Sequence, residues 1–294
     1  MSDRPCVLVF SGADPSGGAG MAADIQAITA MGAHALPVLT AITVQDNNRV
    51  HAVMPVAPEV VQQQARTLMA QVPVSAVKIG IPGSANNAHA IAQLITEMRA
   101  THRQAAGAAP GWAQKLYSEP PVVLDPVLRS GHGDALGCDD AIKSLSPLLA
   151  LATLITPNGP EAAALAAGMV RHAALPPGAS GHSAWHGTPH GDALTHARAL
   201  RALGCGNVLV TGGHGEESDV VINRWLGPDR QQNWSWPRLP GSFHGSGCTL
   251  AAAIAALLAL GNSMAQALNK AQGYTQRALA ASYAIAPGQR IPQR

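Results

Sequence analysis

Residues 6–45 read CVLVFSGADPSGGAGMAADIQAITAMGAHALPVLTAITVQ, and this stretch places a strand, a glycine-rich turn, a helix and a second strand in immediate succession. The apolar runs at 6–10 and 35–42 have the length and composition of strands that are buried on both faces. The segment 20–31 between them has helix-forming composition. A strand–helix–strand unit of this kind predicts a parallel sheet with right-handed crossovers.

The alternation of apolar runs and helix-forming segments continues through most of the chain. Short apolar runs predict four more strands, at residues 74–79, 122–124, 153–155 and 207–210. Composition and length predict five more helices, at residues 58–71, 86–99, 141–149, 160–167 and 193–203. We therefore expect an α/β fold with a doubly wound, mainly parallel sheet and helices on both faces.

The pattern changes near residue 218, where polar and apolar residues alternate on either side of a Gly227-Pro228-Asp229 turn. This alternation predicts a small antiparallel hairpin over residues 218–237. Two further helices are expected to complete the chain.

The chain has 294 residues, which is compatible with a single domain over residues 1–294. Two segments, near residues 101–119 and 170–191, are interpreted as surface insertions. The second contains four histidines, His172, His182, His186 and His190. Because these lack repeated ligand spacing, we expect them to be exposed to solvent rather than bound to a metal.

Composition excludes several classes of partner. The chain carries 19 Lys and Arg against 17 Asp and Glu, and the basic residues are scattered, so nucleic acid is not an expected partner. The most apolar run, residues 250–260, is too short to cross a bilayer and predicts a buried helix instead, with no membrane association. The four cysteines form no CxxC pair and no zinc spacing, which favours a reducing, cytoplasmic location.

A glycine-rich loop, residues 11–20, follows the first predicted strand. Ligands of parallel sheets bind at the carboxyl ends of strands, and glycines let the backbone approach them closely. Asp14 and Asp24 add carboxylates to this loop and to the helix after it. The loop lacks both GK[ST] and GxGxxG, which argues against phosphate-loop GTPases and nicotinamide Rossmann enzymes. A merely flexible turn is the alternative interpretation.

A second glycine-containing turn, HGSGCT at residues 244–249, leads directly into the Ala- and Leu-rich segment. Gly245 and Gly247 place backbone N–H groups at a helix N-terminus, an arrangement that favours anions such as a transferring phosphoryl group. The same field is expected to lower the pKa of the Cys248 thiol, which predicts a reactive thiolate or a base for a substrate hydroxyl. Filling of a small gap at the helix start is the structural alternative.

Acidic residues follow two neighbouring predicted strands. Asn158 and Glu161 have the spacing of a helix N-cap and its capping box. Asp125 lies just beyond the preceding strand. The carboxylates of Asp125 and Glu161 are suited to hold Mg²⁺ through water, as Mg²⁺ prefers.

Six blocks occur in a fixed order along the chain: the first block at residues 11–45, then VKIG, DPVLRSGHG, LITPNGPEA, TGGHG and HGSGCTLAAAIAALLALG. Together they resemble the hydroxymethylpyrimidine/phosphomethylpyrimidine kinases of thiamine biosynthesis, within the ribokinase-like superfamily. The resemblance implies that ATP and Mg²⁺ are used to phosphorylate 4-amino-5-hydroxymethyl-2-methylpyrimidine and then its monophosphate. It also implies a homodimer.

The resemblance further implies roles for individual residues. Gln45 would recognise the pyrimidine, because an amide can both donate to and accept from the aminopyrimidine edge, and Gly12 and Asp24 would form the pocket wall around it. Gly245 and Gly247 would form an anion hole beside Cys248 as the base.

On the nucleotide side, Asp125 and Glu161 match the Mg²⁺ positions, and Asn158 matches a phosphate-organising position. Lys78, Thr211 and Gly213 lie in the blocks that bind the cofactor in the family. These implied roles define the expected nucleotide end of the site.

The chain departs from the family pattern in three places, one of which is the insertion over residues 170–191. Thr211 stands where the family usually has a Lys before Gly-Gly-His, which puts the second phosphorylation in doubt, and Ile81-Pro82 replaces a Met-Leu pair. Two alternatives stay open: a pyridoxal kinase-like vitamin B6 kinase, and a non-catalytic pyrimidine sensor that lost phosphoryl transfer with the Lys. Gln45 and Cys248 favour the pyrimidine enzyme.

Overall fold

The computed structural model describes residues 4–108, 119–174, 192–213 and 219–294. The described strands are β1 (Cys6–Ala13), β2 (His34–Gln45), β3 (Val50–Pro55), β4 (Val74–Ile79), β5 (Val122–Leu124), β6 (Leu154–Ile155), β7 (Asn207–Val210), β8 (Val220–Leu226) and β9 (Gln231–Pro237). The described helices are α1 (Gly20–Ala30), α2 (Pro58–Met69), α3 (Ala85–Ala108), α4 (Ala141–Leu149), α5 (Gly159–Ala174), α6 (Ala193–Ala202), α7 (Ser246–Ala259) and α8 (Met264–Ala280).

All of these strands join one sheet in the order β3-β2-β1-β4-β5-β6-β7-β8-β9. Strands β2, β1, β4, β5, β6 and β7 are parallel, while β3, β8 and β9 pair antiparallel. The predicted mainly parallel α/β fold and its hairpin are therefore confirmed. Strand order reverses between β1 and β4, the kind of point where doubly wound sheets bind ligands.

Helices cover both faces of the sheet. On one face, the five helices from α2 through α6 form an apolar cluster with strand side chains that include Phe10. On the other face, α1, α7 and α8 form a second cluster with strand side chains that include Val9. Adjacent residues of β1 thus face opposite layers, as the unbroken apolar run predicts. The Ala- and Leu-rich segment forms α7, most of which is buried, and no helix in the described ranges is long and apolar enough to span a membrane.

Strand β3 (Val50–Pro55) is the element that the sequence did not predict. Its residues are exposed or half-buried, and it pairs on one side only, with β2. An edge strand of this kind lacks the continuous apolar run that marks buried strands, so composition gave no signal for it.

Both predicted insertions begin as helix. Helix α3 continues to Ala108, past the predicted end at residue 99, and Arg99 anchors this extension by donating a hydrogen bond of 2.8 Å to the Leu151 carbonyl oxygen. Helix α5 likewise continues to Ala174. Residues 109–118 and 175–191, with three of the four histidines, lie outside the described residues, so their exposure stays a prediction.

All four cysteines fall within the described residues and are free thiols. This agrees with the absence of CxxC spacing. The cytoplasmic location and the single-domain organisation stay predictions.

Candidate active site

A cleft of about 560 Å³ opens at the carboxyl ends of the parallel strands. Ten of the twelve residues predicted for the site line it: Gly12, Gln45, Asp125, Asn158, Glu161, Thr211, Gly213, Gly245, Gly247 and Cys248. A more open recess of about 680 Å³ beside the β8–β9 turn is lined, among the described residues, by none of the twelve. The predicted site residues therefore lie around the cleft and not around the larger recess.

Asp14 organises the glycine-rich loop after β1. Its carboxylate accepts hydrogen bonds from the backbone N–H groups of Ser16, at 2.8 Å, and Ala19, at 2.7 Å. His244 Nε2 lies 2.7 Å from Asp14 Oδ2 and ties this loop to the turn before α7. Although burial opposes ionisation, hydrogen bonds from His244, Ser16 and Gln45 hold the pKa of Asp14 well below its usual range.

The two glycine-containing turns pack directly against each other. Gly20 has φ +54° and Gly245 has φ +77°, both in the left-handed region that favours glycine. A Cβ on Gly20 would collide with the Gly12 carbonyl oxygen, and one on Gly245 would collide with that of Gly18. Only glycine therefore permits this close contact between the loop and the turn.

Helix α7 presents its N-terminus to the cleft. Gly245 is the N-cap, and no side chain of the described residues caps the first backbone N–H groups. Gly247 lies beside Asp125, since a Cβ built on Gly247 would be 3.6 Å from Asp125 Oδ1. The predicted anion-binding turn thus lies next to the carboxylate of Asp125.

Cys248 lines the cleft in the first turn of α7, but its thiol is not acidified as predicted. Burial raises the pKa of Cys248 to about 12. The positive charge of Lys78 lowers the pKa by less than burial raises it, and the nearby Asp125 and Asp24 carboxylates raise it further. The prediction of a lowered pKa was wrong, because desolvation and two acidic neighbours raise the pKa of the Cys248 thiol.

Lys78 and Asp24 lie beneath the cleft rather than in its wall. Both side chains are fully buried, and Lys78 Nζ lies 2.9 Å from each carboxylate oxygen of Asp24. Burial opposes the charge of Lys78, but the attraction of Asp24 and, less strongly, of Cys248 and Asp125 raises its pKa. Neither side chain is among the cleft-lining residues, and the assignments of Asp24 to the pyrimidine pocket and of Lys78 to the cofactor stay predictions.

Asn158 and Glu161 form the predicted reciprocal cap at the start of α5. Glu161 Oε2 accepts from the Asn158 N–H at 2.9 Å, and Asn158 Oδ1 accepts from the Glu161 N–H at 2.8 Å. Burial, with a smaller contribution from the charge of Asp125, raises the pKa of Glu161 to about 8.

Asp125 follows β5 and is buried beside this cap. Burial raises its pKa, against the opposing charge of Lys78. Among the described residues, no group donates a hydrogen bond to Asp125 Oδ2. Asp125 and Glu161 thus bring two incompletely compensated carboxylates to one place, which fits a divalent cation.

Gln45 ends β2, lines the cleft and hydrogen-bonds Asp14. In the turn after it, Arg49 pairs with Asp134: Arg49 Nη2 lies 2.6 Å from Asp134 Oδ1, and Arg49 Nε lies 3.0 Å from Asp134 Oδ2. The sequence did not predict this bidentate pair, because 85 residues separate its members.

The β8–β9 hairpin and α8 also contribute residues to the wall of the cleft. Thr211 and Gly213 follow β7, and the Gly212 N–H between them donates to Asn223 Oδ1 of β8 at 2.9 Å. Gln272 of α8 accepts from Asn223 Nδ2 at 2.8 Å. The buried Thr275 hydroxyl also lines this side and has no hydrogen-bond partner within the described ranges.

The family model of the phosphomethylpyrimidine kinases matches residues 14–292. Among curated proteins, the chain is 33% identical to a hydroxymethylpyrimidine/phosphomethylpyrimidine kinase from Salmonella typhimurium, over 97% of this chain and 94% of that protein.

Solved structures share the fold. A phosphomethylpyrimidine kinase from Clostridium difficile superposes with a TM-score of 0.66 at 27% identity, covering 93% of this chain and 98% of that one. A pyridoxal kinase from Bacillus subtilis, solved as an ADP complex, gives a TM-score of 0.77 at 23% identity, covering 99% and 97% respectively. At that identity the second likeness shows the fold alone.

Proposed function

The chain belongs to the phosphomethylpyrimidine kinase family, and we propose on that premise that it phosphorylates 4-amino-5-hydroxymethyl-2-methylpyrimidine and then the monophosphate, with ATP as donor. The observation that carries this proposal is the position of Gly247 beside Asp125, with Cys248 next along the helix. Phosphoryl transfer depends mainly on alignment and on neutralising charge at the transferring group. An uncapped helix N-terminus at that position supplies both.

The pyrimidine binds, in this proposal, between Gln45 and the glycine-rich loop. The Gln45 amide can both donate to and accept from the edge of an aminopyrimidine. Gly12 also lines the cleft, and a Cβ on it would lie 2.7 Å from Ile81 Cδ1, so space beside Gly12 is tightly limited. The ring then directs its hydroxymethyl group toward Cys248.

Cys248 acts on the hydroxyl as a protonated thiol. Its sulfur accepts the hydroxyl proton as the oxygen bonds to phosphorus, while the thiol proton passes to the carboxylate of Asp125, which hydrogen-bonds Cys248. Charge and protons therefore balance without a free thiolate.

Mg²⁺ would be held by Asp125 and Glu161, largely through water. Within the described ranges no group of three or more His, Cys, Asp or Glu side chains surrounds a metal position, which suits a cation that usually takes only one or two carboxylates and substrate phosphates. When bound, it supplies positive charge to the phosphate oxygens. Asn158, Thr211 and Gly213 would line the nucleotide phosphates beside it.

We also propose a homodimer formed at the β2–β3 edge. Ile42, Val44 and Met54 are each about half exposed and lie on adjacent strands of this edge. An exposed apolar strand edge is a surface that proteins usually cover. Light scattering should give twice the chain mass, and Val44→Glu should give the monomer; a monomeric parent protein would exclude this interface.

The function is tested by incubating the purified protein with Mg-ATP and the hydroxymethylpyrimidine, following ADP and both phosphorylated products by mass, with pyridoxal in a parallel tube. Monophosphate followed by diphosphate is the expected result. Turnover of pyridoxal alone would assign the chain to vitamin B6 instead, and binding of the pyrimidine without ADP formation would support a sensor.

A further inference from the structure

Arg294 inserts its guanidinium between the two glycine-containing turns. Its Nη2 donates to the Gly18 carbonyl oxygen at 2.5 Å and reaches that of Gly245 at 3.5 Å. Its Nε donates to Thr249 Oγ1 at 2.8 Å, and that hydroxyl in turn donates to the Gly245 oxygen at 2.8 Å. One side chain therefore joins the loop after β1 to the first turn of α7.

The guanidinium is shared between acceptors of both turns. Gly245 packs closely on Gly18, and the carbonyl oxygens of both residues lie within 3.5 Å of Arg294 Nη2. A cation at this position donates charge-assisted hydrogen bonds, which are stronger than those between neutral groups. The planar fork of an arginine suits several acceptors at once, which a lysine ammonium does not match.

The segment that carries Arg294, residues 287–294, is itself fixed to the cleft. The Arg290 carbonyl oxygen accepts from the His244 N–H at 2.9 Å, immediately before the α7 turn. Asn48 Nδ2 donates to the Pro287 oxygen at 2.8 Å, which connects the segment to the turn after Gln45. We call residues 287–294 the strap, because they contact both the turn before α7 and the turn after Gln45.

We propose that Arg294 is a positioning residue for phosphoryl transfer: by holding the Gly18 and Gly245 carbonyls together, it fixes the N–H groups of Gly247 and Cys248 where the phosphoryl group passes. This inference rests on the proposed function. Arg294 itself lies behind the turn and is absent from the residues that line the cleft, and it also lies beyond the segment matched by the family model. Its effect must therefore be indirect, through the geometry of the anion-binding turn.

The test compares Arg294→Ala and Arg294→Lys with the unmodified full chain. Because a displacement of about 1 Å at a reacting centre can cost on the order of 10²-fold in rate, kcat of Arg294→Ala should fall by about that factor. KM for the pyrimidine should change less than kcat, since Arg294 contacts Gly18 and Gly245 rather than Gln45. Lysine should restore only part of kcat, and added methylguanidinium should restore part of the activity of Arg294→Ala.

Arg290→Ala is the matched control on the same strap. The Arg290 guanidinium binds Ser282, through Nε at 2.9 Å to its hydroxyl and through Nη2 to its carbonyl oxygen, and among the described residues its hydrogen bonds go to Ser282 rather than to either turn. Its removal should lower the unfolding temperature while kcat is retained. Equal loss of kcat in Arg290→Ala and Arg294→Ala, or full kcat in Arg294→Ala, would overturn the proposal.

Amide hydrogen exchange provides a second measurement that does not depend on catalytic activity. In Arg294→Ala, without any ligand, amides of residues 14–20 and 244–250 should exchange faster than in the unmodified chain, while those of β4 and β5 should not change. If the unmodified chain makes no product, the proposed function fails and the exchange result still decides the role of Arg294. Unchanged exchange in both turns would refute it.

Discussion

Lys78 Nζ lies 2.9 Å from both carboxylate oxygens of Asp24, and both side chains are completely buried. The pair joins β4 to α1 directly beneath Asp125 and Cys248, whose pKa values respond to the charge of Lys78. A buried ion pair of this kind is costly to break, because removing one partner leaves the other charge uncompensated.

Lys78→Met should therefore lower the free energy of unfolding by about 3–5 kcal/mol. The double variant Lys78→Met with Asp24→Leu should recover most of this loss, because it leaves no buried charge from the pair. Urea unfolding of both variants measures the difference. If Lys78→Met keeps full stability and instead raises KM for ATP, Lys78 belongs to the cofactor site after all.

Alkylation of Cys248 should be slow at neutral pH and should accelerate about tenfold per pH unit between pH 7 and 10 without a plateau. The reason is that only the thiolate reacts, and burial raises the pKa of Cys248 to about 12. Iodoacetamide labelling read by peptide mass measures the rate, with the exposed Cys138 as internal control for reagent access. A plateau below pH 8 would restore the thiolate that the helix N-terminus alone predicts.

Cys248→Ala should lower kcat by about 10²- to 10⁴-fold, the usual contribution of a positioned proton acceptor. Affinity for the pyrimidine should change little, because the ring is held at the Gln45 end. Single-turnover kinetics and calorimetry separate the two quantities. Thr249→Ser, which keeps the neighbouring hydroxyl, serves as control, and full activity of Cys248→Ala would remove the thiol from the mechanism.

Gln45→Ala should raise KM for the pyrimidine by about 10- to 100-fold, since two neutral hydrogen bonds contribute roughly 1–3 kcal/mol together. Steady-state kinetics at saturating ATP provide the measurement. Gln93, an exposed glutamine on α3 that pairs with Gln62, gives a matched substitution to Ala with no expected effect. An unaltered KM in Gln45→Ala would show that the pyrimidine binds elsewhere.

Thr211→Lys should improve the second phosphorylation more than the first. The Thr211 N–H is fixed by the Pro157 carbonyl oxygen at 2.9 Å, so a longer side chain at this position would start from the wall of the cleft. A partly exposed cation contributes on the order of 1 kcal/mol, or about fivefold in rate constant, when the substrate carries an extra phosphate. Thr211→Met adds length without charge, and an equal gain in both variants would exclude electrostatics.

The regular elements were predictable because their signals are local. Buried parallel strands appear as short apolar runs, so β4, β5 and β7 begin and end where the sequence places them. The Asn158–Glu161 cap spans four residues and was equally predictable. Strand β3 was not predicted, because an exposed edge strand lacks a continuous apolar run.

The sequence by itself thus determined the sheet, the order of its helices and the two glycine-containing turns that meet at its carboxyl edge. Tertiary structure alone decided which charges meet. Lys78 pairs with Asp24 across 54 residues, and Arg294 reaches Gly18 across 276. The pKa of Cys248 shows the physical reason. The sequence reveals that Cys248 lies at a helix N-terminus, whose electrostatic field is a local property. Desolvation and the charges of Lys78, Asp125 and Asp24 depend on distances that only the folded chain sets.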